Sequence, residues 1–261
     1  MNHAIIINDP ADRLDLSYVF ANNYAALGKH TNALVEMAEV GRNIVPGVHC
    51  RAILTHPVEA GEMARLVGGS GVRVETVIDF PDGLGGAETK RAQARITKEA
   101  GGIGGDLVVN LHAVATRDRA VVVGEIRAVA EHLGEVKVIA QIPYLWQYDR
   151  DAIPWLIDVV AEGGAYCIKD WTTRLDNFLL PDGEALDYSH ETRMRYLEYM
   201  ADYVQKNRLP LVLKVAGRVT PENVQSFVDA GAFLIGTSYR KAPALRDALL
   251  KQGASQVPRA F

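Results

Sequence analysis

Residues 211–238, LVLKVAGRVTPENVQSFVDAGAFLIGTS, contain two short apolar runs separated by a segment with helical signals. The two runs are LVLKV (211–215) and FLIGT (233–237). Both are rich in Val, Leu and Ile, as buried strands of parallel sheets are. Between them, Thr220 and Pro221 are typical of a helix start, and Gly231 is typical of a helix end. The stretch therefore predicts one strand–helix–strand unit.

The same unit recurs along the chain. Further strands are predicted at HCRAI (49–53), VRVETVIDF (72–80), DLVVNL (106–111), KVIAQI (137–142) and AYCIKD (165–170). Helical patterns lie near 31–43, 58–68, 86–101, 115–133, 151–162, 189–206, 221–230 and 242–252. An eighth strand is expected before residue 31, where LDLSYVFANN (14–23) is the candidate.

Eight strand–helix units in about 250 residues predict an α/β fold, a single-domain (β/α)8 TIM barrel over residues 1–261. The alternative is an open doubly wound sheet. No glycine-rich dinucleotide fingerprint follows the first strands, and this favours the barrel.

The composition limits the classes of function. The 261 residues are 48% hydrophobic and carry a net charge of −4, which disfavours a nucleic-acid partner. No apolar run approaches the roughly 18 residues of a membrane span, and the first residues lack the basic start of a signal peptide. We therefore expect a cytoplasmic protein without a membrane partner. Cys50 and Cys167 lie far apart in strand-like contexts, which favours buried free thiols over a disulfide.

Two lysines occupy unusual positions for their residue type. Lys169 ends the predicted sixth strand, and Lys214 lies at a matching depth in the seventh. The active site of such a barrel forms at the carboxyl ends of the strands, where neighbours are about 4.8 Å apart. Repulsion between two ammonium groups should lower the pKa of at least one amine and leave a neutral nucleophile for a Schiff base. Asp106, in the fourth strand, is a candidate proton relay or ammonium partner.

Simpler interpretations exist for these residues. A single lysine near a strand end commonly extends to solvent, and an aspartate at a strand start is a common turn residue. Two lysines on adjacent strands with a nearby aspartate favour the functional interpretation.

Two polar, glycine-containing turns follow the last two strands, AGRVTPEN (216–223) and IGTSYR (235–240). In barrels these turns often bind phosphate, although they can also be ordinary connections. The candidate phosphate- and substrate-binding residues are Gly217, Arg218, Gly236, Thr237, Ser238, Thr172 and Asn110. No cluster of His, Cys and carboxylates has metal-ligand spacing, so a metal is not expected.

The chain resembles the deoxyribose-phosphate aldolase family, one of the class I, Schiff-base-forming barrel aldolases, from about residue 48 to 240. The resembling stretches are 72–96, GGDLVVNLHA (104–113), EVKVIAQIPYL (135–145), GAYCIKDWTT (164–173) and 211–238. The resemblance places the Schiff-base lysine at Lys169, the second lysine at Lys214 and the acid/base aspartate at Asp106.

The resemblance implies that a carbon–carbon bond is made or broken through an iminium ion and an enamine. The implied substrate is a small phosphorylated aldehyde or sugar, first of all 2-deoxyribose 5-phosphate, which gives glyceraldehyde 3-phosphate and acetaldehyde. No cofactor or metal is implied. Family members are often dimers, so a homo-oligomer is among the expected states.

The sequence departs from the family around the predicted site. Asp170 and Trp171 stand where the family has Thr and Ser, and Gln141 stands where a glutamate is usual. Arg218 replaces a second glycine, and Tyr239 a second serine.

Two further segments differ from the family. Residues 175–192 are predicted to be a lid or a subunit contact. The first-strand aspartate of the family has no clear match, with Asn22 or Asn23 the nearest candidate. These departures leave two alternatives open: a class I aldolase for a ketose phosphate or keto acid, and a non-catalytic barrel that binds a sugar phosphate.

Overall fold

A computed structural model describes residues 7–19, 33–173 and 185–251 of the chain. Its eight strands run parallel and pair in chain order, and the first also pairs with the last, so the sheet is a closed barrel. The strands are β1 Leu14–Ser17, β2 Ala52–Thr55, β3 Arg73–Ile78, β4 Gly104–Val108, β5 Glu135–Ile139, β6 Cys167–Lys169, β7 Val212–Ala216 and β8 Ala232–Ser238. The predicted (β/α)8 barrel is confirmed.

Helices follow the strands and cover the barrel. Within the described ranges they are α1 Ala33–Arg42, α2 Ala60–Val67, α3 Gly86–Glu99, α4 Leu111–Ala115, α5 Arg119–Ala130, α6 Ile142–Tyr148, α7 Ala152–Glu162, α8 His190–Lys206, α9 Val224–Asp229 and α10 Ala242–Lys251. Short 3₁₀ helices lie at Pro10–Arg13, Pro57–Glu59 and Tyr239–Lys241. None of the helices in these ranges is long and apolar enough to cross a membrane.

Two short helices occupy positions where the sequence predicted the ends of strands. The fourth strand stops at Val108 because the Asn110 side chain accepts a hydrogen bond from the Ala113 N–H and caps α4. The fifth stops at Ile139, and Pro143 lies in the first turn of α6, where its missing N–H costs nothing. β1 ends at Ser17 rather than at residue 23, and 20–23 lie outside the described residues.

Side chains alternate between the two faces of each strand, and this alternation separates two kinds of interior. The outward side chains pack beneath the helices; Leu107, Val138, Ile168 and Leu213 are fully or almost fully buried there. Each such aliphatic side chain contributes about 1.5–3 kcal/mol when fully buried. The inward side chains include charged groups, which form the candidate site. Cys50 and Cys167 are buried free thiols, as predicted.

Candidate active site

Lys169 and Lys214 lie close together, as their positions in the sequence predict. The two residues are register partners in β6 and β7. Both amines donate to the same Asp106 oxygen, Oδ2, at 3.0 Å from Lys169 and 2.9 Å from Lys214. Asp106 and Lys214 are almost completely buried, whereas Lys169 retains 8% of its exposure. The three predicted catalytic side chains therefore form one charged group inside the barrel.

Two further charged side chains of this group, those of Asp15 and Lys137, were not predicted as site residues from the sequence. Asp15, from β1, contacts Lys214 at 2.6 Å and Lys137 at 3.4 Å. Lys137, from β5, also contacts Glu75 and lies 3.2 Å from Oδ1 of Asp106. A signal was present in both cases, because each residue interrupts an apolar strand: LDL at 14–16 and VKV at 136–138. Asn22 and Asn23, the candidates for the first-strand residue, lie outside the described residues.

A buried arginine supports this group from the amino ends of the strands. Arg51, just before β2, donates to Asp15 at 2.9 Å and to Glu75 at 3.1 Å. Its second terminal nitrogen donates to Glu135 at 2.5 Å and to the Tyr166 hydroxyl at 2.6 Å. Asp15 therefore contacts Arg51 on the side of the amino ends of the strands, and it also contacts Lys137 and Lys214.

The charges of this group set the pKa values of its members. Burial alone would raise the pKa of Asp15, but the cations of Lys137, Lys214 and Arg51 outweigh burial and hold it well below its ordinary value. Burial lowers the pKa of Lys137 well below its ordinary value; attraction to Asp15 opposes this fall, and repulsion by Lys214 and Arg51 adds to it.

The sequence-based expectation is that the pKa of at least one of the two amines falls, and at Lys214 the pKa rises. Burial alone would lower it, but Asp106 and Asp15 outweigh burial and raise it. That expectation rests on repulsion between two ammonium groups, with Asp106 as a candidate ammonium partner. The carboxylates of Asp106 and Asp15 therefore outweigh both burial and repulsion at Lys214.

Three buried carboxylates raise the question of a metal site. Oxygens of Asp15, Glu75 and Asp106 lie within 4.8 Å of one another. The Lys137 amino group contacts all three carboxylates, so a side chain of the protein already occupies the space between them. This donor set does not fit a metal ion unless Lys137 moves.

A cavity of about 270 Å³ opens above the lysines at the carboxyl ends of the strands. Its lining includes Asp15, Lys169 and Lys214, together with six of the predicted binding residues: Thr172, Gly217, Arg218, Gly236, Thr237 and Ser238. Asn110 does not line this cavity, because its side chain caps α4 and donates to Glu125 at 3.3 Å. Its predicted role in substrate binding is therefore not supported by its position.

The turn after β7 has a backbone that brings its residues close to the cavity. Gly217 has φ 69°, and a Cβ there would collide with Thr173. Arg218, which stands where the family has a second glycine, is also left-handed at φ 52°. A non-glycine residue in this conformation costs about 1–2 kcal/mol, so the surrounding contacts must hold it.

Asp170 and Trp171, the departures after Lys169, are buried beside this turn rather than inside the cavity. Asp170 accepts from the backbone N–H groups of Trp171 and Ala216, both at 3.0 Å, and from Arg193 of α8 at 2.9 Å. The indole N–H of Trp171 donates to the Ala216 carbonyl at 2.6 Å. Burial raises the pKa of Asp170 in spite of these partners.

Gln141, where the family has a glutamate, interacts with a cavity residue. Its side-chain oxygen accepts from the Thr172 N–H at 3.1 Å, and its amide nitrogen lies 3.2 Å from the Thr172 hydroxyl. These contacts therefore fix the backbone and the hydroxyl group of Thr172.

The segment predicted to be a lid or a subunit contact, 175–192, is described only from residue 185. Tyr188 stacks on Trp171 with ring centroids 4.2 Å apart, and the guanidinium of Arg218 lies 4.8 Å from the Tyr188 ring. This part of the segment contacts the residues around the cavity mouth. Its role as a lid or interface stays a prediction.

Comparisons with known proteins identify relatives of the chain by sequence. No protein-family model matches the chain. The deoxyribose-phosphate aldolase of Deinococcus radiodurans is 30% identical over 190 residues, which cover 72% of this chain and 78% of that protein. The enzyme of the same name from Dictyoglomus turgidum is 31% identical over 170 residues, covering 64% of this chain and 69% of that protein.

Solved structures show the same fold. The aldolase QR15 superposes with a TM-score of 0.72 at 21% identity, covering 95% of this chain and 99% of its own. The tetrameric deoxyribose phosphate aldolase of Aeropyrum pernix has a TM-score of 0.69 at 21% identity, covering 93% and 91%. On the identity and coverage of its sequence relatives, the chain belongs to the deoxyribose-phosphate aldolase family of aldehyde-lyases.

Proposed function

We propose that the chain is a class I aldolase in which Lys169 forms a Schiff base with its substrate. The favoured reaction is reversible cleavage of 2-deoxyribose 5-phosphate to glyceraldehyde 3-phosphate and acetaldehyde. The observation that carries the proposal is the sharing of one Asp106 oxygen by Lys169 and Lys214 at the base of the cavity.

Accessibility and charge favour Lys169 as the nucleophile. Lys169 is 8% exposed, whereas Lys214 is 1% exposed and has two carboxylate partners. Because Asp106 and Asp15 raise the pKa of Lys214, that lysine keeps its proton and remains a cation. Lys169, the more exposed of the two amines, is therefore the one that we assign as the nucleophile.

The reaction then follows from the electronics of an iminium ion. Neutral Lys169 adds to the carbonyl carbon, and the carbinolamine loses water to give an iminium. Electrons of the breaking carbon–carbon bond move into the iminium and leave an enamine, while the hydroxyl proton of the departing aldehyde passes to a base. Protonation of the enamine and hydrolysis release acetaldehyde and restore Lys169.

Asp106 suits the proton transfers and the charge of the intermediates. Its Oδ2 lies within hydrogen-bond distance of the Lys169 amine, so a proton can pass between them directly or through one water. The iminium carries the same single positive charge as the Lys169 ammonium. Its formation therefore leaves the charge balance with Asp106 unchanged.

The residues at the rim of the cavity favour a substrate that carries a phosphate group. Hydroxyl groups of Thr237 and Ser238 and the guanidinium of Arg218 belong to residues that line it. Hydroxyl donors and an arginine are the groups that commonly bind a phosphate. We therefore place the substrate's phosphate at the turns after β7 and β8, with its carbonyl carbon at Lys169.

Trapping with borohydride tests this proposal. The protein is incubated with acetaldehyde, and separately with dihydroxyacetone phosphate, and reduced; the modified peptide is then mapped. An adduct at Lys169 from acetaldehyde is expected, to be absent in Lys169→Met and retained in Lys206→Met, a variant of an exposed helical lysine. An adduct only from the ketose phosphate would change the substrate and keep the chemistry. If neither compound modifies Lys169 and no turnover is found, the non-catalytic barrel is favoured.

A further inference from the structure

The turn after β7 is held from behind by Arg193, a buried residue of α8 that does not line the cavity. Its Nη2 donates to the Ala216 carbonyl at 2.9 Å, and its Nη1 donates to the Gly217 carbonyl at 2.8 Å. Asp170 fixes the guanidinium at 2.9 Å, and the Tyr196 hydroxyl lies 3.2 Å from its Nε. Arg193 therefore binds two successive carbonyls from one rigid position.

The geometry of the peptide units indicates where the N–H groups of this turn point. The C=O and N–H of a trans peptide unit point in opposite directions. The Ala216 carbonyl shares its unit with the Gly217 N–H, and the Gly217 carbonyl shares its unit with the Arg218 N–H. With both carbonyls directed at α8, the two N–H groups point away from α8, on the side where Gly217 and Arg218 line the cavity.

The two residues that depart from the family pattern after Lys169 belong to the same support. Trp171 donates its indole N–H to the Ala216 carbonyl, and Asp170 accepts from the Ala216 N–H. Hydrogen bonds to a carbonyl also polarise its peptide unit and strengthen the N–H on the opposite side as a donor. The same contacts hold Arg218 in its left-handed conformation, which glycine would adopt without strain.

We propose that Arg193 is a positioning residue for the substrate's phosphate group, with Asp170 and Trp171 as its supports. It presets the N–H groups of Gly217 and Arg218 as anion donors without touching the substrate. This inference rests on the proposed function, because it assigns the phosphate end of that substrate to the turn after β7.

The test separates phosphate binding from general activity. In Arg193→Lys one ammonium replaces a fork that binds two carbonyls. We expect the KM for 2-deoxyribose 5-phosphate to rise about tenfold, the equivalent of one well-placed hydrogen bond, with kcat within about twofold. The inhibition constant of inorganic phosphate should rise by the same factor. The kcat/KM for unphosphorylated 2-deoxyribose should change by less than about twofold, because that substrate lacks the group that is bound there.

Arg246→Met is the matched control, since it removes an Arg–Asp pair with Asp9 near the amino end of β1, away from the cavity. It should leave both substrates and the phosphate inhibition unchanged. Equal losses on the phosphorylated and unphosphorylated sugars in a folded Arg193→Lys protein would overturn the proposal, because they would indicate a purely structural role. An unchanged phosphate inhibition constant would overturn it as well.

Two further measurements keep the inference testable by itself. If neither sugar is turned over, the proposed function fails, and calorimetric titration with inorganic phosphate tests Arg193 alone: weaker binding by Arg193→Lys supports it, and equal binding contradicts it. If Arg193→Lys does not fold, Trp171→Phe removes one donor to the Ala216 carbonyl. That variant should weaken phosphate binding by about threefold, and unchanged binding would contradict the inference.

Discussion

Lys169 and Lys214 face one another across the β6–β7 pair, and a single oxygen of Asp106 accepts hydrogen bonds from both amines. Two ammonium groups that share one acceptor atom would repel each other strongly in a largely buried site. The shared carboxylate makes them compatible, while Asp15 gives Lys214 a second partner that Lys169 lacks. The two lysines therefore differ in charge environment although they are equivalent in register.

Replacing Asp106 with Asn should remove the proton acceptor and the charge between the amines. We expect kcat for the proposed aldolase reaction to fall by about 10²–10⁴-fold, the usual contribution of a general acid–base group. Steady-state kinetics and Lys169 trapping measure the effect. Asp118→Asn is the matched control, because Asp118 caps α5 and Asn caps a helix equally well. A kcat within a factor of a few of wild type in Asp106→Asn would contradict the assigned role.

Asp15 should make the stability of the fold depend on pH in the acid range. Its folded-state pKa is held well below the ordinary value of 3.8, so the ionised carboxylate stabilises the fold at pH above about 4. This stabilisation is lost as the pH falls from about 4 through the folded-state pKa, at up to about 1.4 kcal/mol per pH unit for one group. Denaturant unfolding of wild type and Asp15→Asn between pH 7 and pH 3 measures it. The difference between the two proteins should shrink as the pH falls; a constant difference would count against this account.

Arg51 should be important for stability, because it binds Asp15, Glu75 and Glu135 from one buried position. Removing one member of a buried ion-pair network leaves uncompensated charge and typically costs about 3–5 kcal/mol. We expect that loss in the free energy of unfolding of Arg51→Met. Arg246→Met, whose partner Asp9 is partly exposed, should cost about 1 kcal/mol or less. Equal losses in the two variants would show that the Arg51 network contributes no more than a partly exposed pair.

A methyl group at position 236 should disturb Lys214. A Cβ on Gly236 would lie 2.9 Å from the Ala216 Cβ and 3.3 Å from the Lys214 Cε, so the lysine chain must shift. We expect Gly236→Ala to lower kcat about tenfold or more, because small misplacements of catalytic groups are costly. Gly124→Ala is the control: Gly124 lies in α5 with no atom within 4 Å of the added carbon. That change should raise stability by about 0.5–1 kcal/mol without affecting kcat.

The sequence was sufficient to predict the barrel and the proximity of Lys169 and Lys214. Lysines at the ends of apolar strands stand out, and register brings Lys169 and Lys214 together once the strands pair. Lys137 is also a lysine in an apolar strand, but it lies in the middle of β5 and not at its end. The sequence alone does not show how deep in the barrel an inward-facing side chain lies. β1 contributes only four residues, too few for a period-two pattern to distinguish Asp15 from a turn residue.

Other features depend on tertiary contacts that local patterns do not contain. Arg193 reaches Asp170 from a helix that begins 20 residues later in the chain. Asn110 shows the converse: a polar residue at a strand end was a reasonable candidate for substrate binding, yet a change in backbone direction makes it a helix cap. The pKa of Lys214 rises because of carboxylates from β1 and β4, which are distant in sequence.

Closure of the barrel has a consequence for the biogenesis of the site. Asp15 lies in the first strand and reaches Lys214 of the seventh only after the eighth strand has paired with the first, at the register Asp15 to Gly236. A chain that lacks β8 cannot close the barrel in this way, so it holds Lys169 and Lys214 without the contact between Lys214 and Asp15. A product truncated before β8 would therefore carry both lysines with only part of the charged group that surrounds Lys214.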